Sequence, residues 1–92
     1  MKIKMKFSDL DFQPHSIGTG VQAIQFFDNG YGVSVVKFYG SYGYEQGLYE
    51  LAVLKGVDED YQICYDTPIT DDVLGYQTPE EIEQLLEKVE SL

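Results

Sequence analysis

Tyrosines and carboxylates are the residues best equipped for chemistry in this 92-residue chain, which holds one histidine, one cysteine, no tryptophan and no arginine. Residues 38–47, FYGSYGYEQG, set Tyr39, Tyr42 and Tyr44 among three glycines. Each ring offers a large contact area and a hydroxyl at the cost of few frozen torsions, so a Tyr/Gly loop suits recognition. The competing reading has the glycines turning a hairpin while the rings pack over a sheet edge. Gly40, Gly43 and Gly47 match neither a dinucleotide fingerprint nor a P-loop, since the spacing is wrong and neither Lys nor Ser/Thr follows Gly47. Nucleophilic catalysis would have to join Cys64 to His15, the only histidine. Cys64 alternates with Tyr61, Ile63 and Tyr65 in a strand-like run, the pattern of a structural thiol. Asp71-Asp72 and Asp58-Glu59-Asp60 supply hard oxygen donors without the spacing of a calcium loop. Paired carboxylates could also serve glycoside hydrolysis, but a thin domain without tryptophan suits it poorly. The expectation is a protein that is not an enzyme and uses no metal or cofactor.

Charge is more informative than any motif. Sixteen acids against six lysines give a net charge of −10. Residues 1–57 are neutral, with five lysines against five acids, so the whole excess falls in residues 58–92. That balance argues against nucleic acid or anionic membranes as direct partners, because binding there depends on basic groups releasing counterions. A partner selected by charge is basic. Within 78–90, Glu80, Glu83, Glu87 and Glu90 recur at i, i+3, i+7 and i+10, which reads as a row of carboxylates on a helix face away from its apolar stripe. Glu83 and Glu87, four residues apart, repel by a few tenths of a kcal/mol where a solubilising helix would more often place a lysine. An ordinary solvated acidic face is the competing reading.

These groups must be held by one domain, residues 1–92, expected to be α+β: an antiparallel sheet of four to five strands with one helix on one face. MKIKMKF at 1–7 alternates apolar residues with lysines and predicts a strand, with the lysines guarding an edge. Residues 8–19 read as an irregular connection from which Phe12 and Ile17 tuck under the core. GVQAIQFF and YGVSVVKF flank Asp28-Asn29-Gly30, so 21–27 and 31–38 are predicted to pair through a tight Asn-Gly turn. Runs 48–55 and 61–66 predict a second hairpin around 56–60. TPITDDVLGYQ reads as a loop holding at most one short helical turn. A helix is predicted from Thr78, with Pro79 in its first turn and Glu81 completing a capping box. Its stripe Ile82, Leu85, Leu86 and Val89 is expected to meet Ile24, Val33, Val35, Leu51 and Val53.

The hairpin, GLYELAVL, ICYDTPITDDVLG and the terminal TPEEIEQLLEKVE, together most of residues 20–92, resemble small uncharacterised acidic proteins encoded by bacteriophages and prophages. The resemblance implies a protein that binds and blocks a host protein, including restriction and CRISPR nucleases with basic channels, and it brings no assigned site residues. The expected function is therefore a non-enzymatic phage-encoded inhibitor of a host nucleic-acid-handling or defence protein. Its expected contacts are Glu80, Glu83, Glu87, Glu90, Asp71 and Asp72 on the acidic side, with Tyr39, Tyr42 and Tyr44 as a less salt-sensitive anchor. The expected location is the cytoplasm of the bacterial host, since the lone cysteine forms no internal disulfide and no apolar run reaches signal or membrane-spanning length. Two alternatives stand: a virion or assembly module that self-associates through a sheet edge, and a small-ligand binder for a nucleotide or metabolite.

Overall fold

Asn-Gly chemistry does close the first hairpin, though not as a two-residue turn. The computed structural model, which describes residues 5–14, 20–57, 60–64, 67 and 73–92, has strands β2 (Gly20–Phe26) and β3 (Tyr31–Phe38) paired with Ala23 opposite Val35 and Phe26 opposite Gly32. The Phe27 N–H donates to Tyr31 O at 2.8 Å, leaving three residues in the loop. Only Gly30 among them has positive φ, at 85°. This is the three-residue form, a turn followed by one left-handed glycine, and it leaves the Asn29 side chain free for another task. Its amide donates to the carbonyls of Val89, Glu90 and Leu92 at 2.9, 3.1 and 3.2 Å, tying the hairpin tip to the helix C-terminus.

The second hairpin also forms, as β4 (Tyr49–Val57) and β5 (Asp60–Ile63). Of the turn predicted over 56–60, residues 56, 57 and 60 belong instead to the paired strands, Gly56 opposite Tyr61 and Val57 opposite Asp60, and residues 58–59 lie outside the described residues. Sheet order is β1-β2-β3-β4-β5, with all described pairs antiparallel. The far edge of β4 is shared: β5 pairs with its C-terminal half, while β6 (Leu74–Gln77) pairs near its start, Tyr49 opposite Gln77 and Leu51 opposite Leu74. Strand β6 takes 74–77 of the loop expected over 67–77, of which residues 68–72 lie outside the described residues. Four residues including a glycine carry too little pattern to announce a strand, and Leu74 earns its place only by packing on the core from the β4 edge.

The predicted strand at 1–7 is corrected in its described part: residues 5–6 are not strand and Phe7–Asp9 is a 3-10 turn. Carboxylates take the N–H groups that a ladder would need, Asp9 Oδ2 accepting from Lys6 N at 2.8 Å and Glu83 Oε1 from Phe7 N at 2.7 Å. A two-residue strand, β1 (Gln13–Pro14), forms the outer edge beside β2. Phe12 packs against the core as expected, with Phe7 and Tyr49 at ring separations of 5.1 to 5.6 Å. His15 and Ile17 lie outside the described residues.

Helix α1 (Pro79–Glu90) starts where the capping pattern places it. Glu81 N donates to Thr78 Oγ1 at 3.2 Å and Thr78 N to Glu81 Oε1 at 2.9 Å, satisfying two N–H groups that the first turn leaves unpaired. Ile82, Leu85, Leu86 and Val89 are buried against Ala23, Val33, Val35, Leu51 and Val53, each large side chain contributing about 1.5–3 kcal/mol. Ile24 is the exception among the expected partners. Strand alternation puts Ala23 on the helix side, so Ile24, opposite Ser34, points to the other face and stays 39% exposed. The architecture is α+β: among the described residues, a curled six-stranded antiparallel sheet and one C-terminal helix. Among the described residues no helix is long and apolar enough to cross a membrane.

Candidate functional site

Between β3 and β4 the chain makes successive tight turns, with Ser41 N donating to Phe38 O, Tyr44 N to Ser41 O and Gln46 N to Gly43 O, at 2.9 to 3.1 Å. Ser41 is the buried polar pivot: its hydroxyl donates to Phe38 O at 2.8 Å and accepts from Phe38 N at 3.1 Å. With the loop fixed from beneath, Tyr39 and Tyr42 remain 79% and 60% exposed. Strand β6 then closes on this loop. Tyr76 N donates to Tyr42 O at 3.4 Å, and a Cβ at Gly75 would stand 2.4 Å from Tyr42 Cβ. Only glycine permits that approach.

The outcome is a cleft of about 390 Å³ bounded by Tyr39, Tyr42, Tyr44 and Tyr76 with Glu45. Tyr39 and Tyr44 meet edge to face at 6.0 Å, and Tyr42 and Tyr76 stack at 6.4 Å with planes 30° apart. Tyr76 sits at φ 58°, alone among the described non-glycine residues in the left-handed region. That conformation costs roughly 1–2 kcal/mol for an L-residue with a side chain, so the surroundings impose the position of this ring. Tyr39, Tyr42 and Tyr44 were legible as a group from their spacing. Tyr76 was not, because its link to them is a contact across 34 positions made only when β6 joins β4.

The acidic helix is less uniform than a row at i, i+3, i+7 and i+10 implies. At about 100° per residue, Glu80 and Glu87 lie roughly 160° and 140° around from Ile82, whereas Glu83 and Glu90 lie about 100° and 80° away. The row is therefore on a flank. Glu80 and Glu87 are exposed, while Glu83 and Glu90 are half-buried, and Glu83 is committed to the Phe7 N–H. Met5, Lys6, Glu80, Glu83, Gln84 and Glu87 line a second cleft of about 270 Å³. Asp71 and Asp72 lie outside the described residues. Tyr76 is four residues from Glu80, so an extended chain separates their Cα atoms by at most about 14 Å.

Cys64 is buried, with its N–H donating to Val53 O at 2.7 Å, consistent with a packing role. Among the described residues no three His, Cys, Asp or Glu side chains are grouped to hold a metal. Comparison with known proteins finds no matching family model, no matching curated protein and no matching solved structure.

Proposed function

We propose that this protein is a non-enzymatic binding protein that docks on a basic protein partner through the tyrosine cleft, with the acidic flank of α1 steering the encounter. In its particular form, the reading makes it a phage-encoded inhibitor of a host nucleic-acid-handling or defence protein, obstructing a basic groove. The observation that carries it is the cluster of four tyrosines around one cleft, three of them more than half exposed. Exposed aromatic rings on a hydrogen-bonded loop are the material of interface hot spots: they bury much area and lose little freedom on binding. The net charge of −10 adds long-range attraction to a basic surface, which accelerates association and falls with ionic strength.

Capture from a bacterial host lysate tests this. The wild-type chain is compared with a Tyr39→Ala, Tyr42→Ala double variant and a Glu80→Gln, Glu87→Gln double variant. A basic partner should be retained by wild type and lost from the tyrosine variant. The glutamine variant should bind it more slowly and with a shallower salt dependence. In assays with the purified partner, its nucleic-acid binding should fall as this protein is added. Retention of the same partner by the tyrosine variant, or an affinity equal at low and high salt, would overturn the reading.

A further inference from the structure

The cleft tyrosines differ from others in this protein in what their faces meet. Lys37 Nζ lies 5.2 Å from the centroid of Tyr49, and Lys55 Nζ lies 5.9 Å from that of Tyr31. Those two rings already carry cations of the chain itself. Among the described residues the cleft is lined by four tyrosines without any lysine, and the one charged residue among them is Glu45. A second carboxylate stands close by, Glu50 Oε2 accepting from Tyr42 N at 3.3 Å. Aromatic faces are the negative part of the ring quadrupole and attract a cation within about 6 Å of the centroid. Ser41 has committed its hydroxyl to Phe38, which leaves the ring faces, the Gln46 amide and the Glu45 carboxylate as the recognition chemistry, and of these the rings and the carboxylate attract a cation. Tyr76 stacks on Tyr42 at 6.4 Å in the free protein, reducing the ordering that binding must impose.

We infer that this cleft receives an arginine side chain of the partner, its guanidinium lying on the tyrosine faces with Glu45 at the rim. The inference deepens the docking reading and rests on it. Arginine is favoured over lysine because its planar, weakly hydrated group stacks on rings, whereas a compact ammonium holds its water. The chain itself contains no arginine, so the occupant belongs to a different protein and not to a second copy.

The test titrates the full chain with a capped pentapeptide of four glycines around one arginine, and with its citrulline counterpart, which keeps the shape and removes the charge. Ring resonances of the tyrosines and amides of 39–46, 76 and 80–90 are followed by NMR. The arginine peptide should shift the resonances of Tyr39, Tyr42, Tyr44 and Tyr76, and the citrulline peptide should bind about tenfold more weakly. Tyr39→Ala and Tyr42→Ala should each weaken arginine binding about threefold to tenfold. Tyr39 is 79% exposed, so its variant folds and keeps the test decisive. Equal binding of the citrulline peptide would overturn the inference and leave the docking reading standing. Shifts confined to 80–90, or none at the cleft with either peptide, would also overturn it. The docking reading itself falls if the tyrosine variant still captures the partner or if the partner binds equally at low and high salt.

Discussion

Gly75→Ala probes the contact that creates the cleft. The added methyl would stand 2.4 Å from Tyr42 Cβ, whereas two carbons in ordinary contact lie about 3.5–4.0 Å apart. Strand β6 and the tyrosine loop must therefore separate by more than about 1 Å. Neither side yields easily: Tyr42 is fixed through its N–H to Glu50 and its carbonyl to Tyr76 N, and β6 is fixed by its ladder to β4. Overpacking of this kind costs about 1–3 kcal/mol. For a domain near this size each kcal/mol lowers Tm by about 4–8 °C. Urea unfolding should show that loss in midpoint with an unchanged slope. The source of the strain can be isolated. Tyr42→Ala retains the Cβ and should not rescue Gly75→Ala, whereas Tyr42→Gly removes it and should, giving a coupling of at least about 0.5 kcal/mol in a double-mutant cycle. If Gly75→Ala is as stable as wild type, or if both Tyr42 variants rescue it alike, β6 does not press on the loop as described and the cleft is not built by that contact.

Three further outcomes follow from the same structure. Asn29→Asp keeps the oxygen that accepts from Tyr31 N but removes the donors to Val89, Glu90 and Leu92 and sets a carboxylate at the negative helix end. It should cost about 1–2 kcal/mol by denaturation. Because that end disfavours the charged form, the new carboxyl should have a raised pKa on folding, so this part of the deficit is full above that pKa, shrinks as pH falls through it, and is gone by the unfolded value of about 4. A pH-independent deficit would remove the helix end from the explanation. Thr78→Ala should lose about 1 kcal/mol, measured by urea melts, with fraying confined to the first turn of α1 in hydrogen exchange. Leu86→Ala should cost about 2–5 kcal/mol, whereas Ile24→Thr, on the half-open face, should stay within about 1 kcal/mol. Equal costs would mean that the sheet face is assigned wrongly.

Sequence alone determined the elements whose causes are local. The capping box at Thr78, the stripe Ile82, Leu85, Leu86 and Val89, and the two hairpins follow from neighbours within a few positions, where spacing translates directly into geometry. The tyrosines at 39, 42 and 44 were visible for the same reason. Tertiary structure decided what depends on distant partners. It turned 5–9 away from strand because Glu83 reaches Phe7 N across 76 positions, and it chose Ala23 over Ile24 for the core through the register with β3. It also moved half of the acidic row onto a partly covered flank and brought Tyr76 to the cleft by adding β6 to β4. Periodicity says that a residue has an inside and an outside, but which groups meet there is set by contacts between segments far apart in the chain. Such contacts carry no signature in either segment alone.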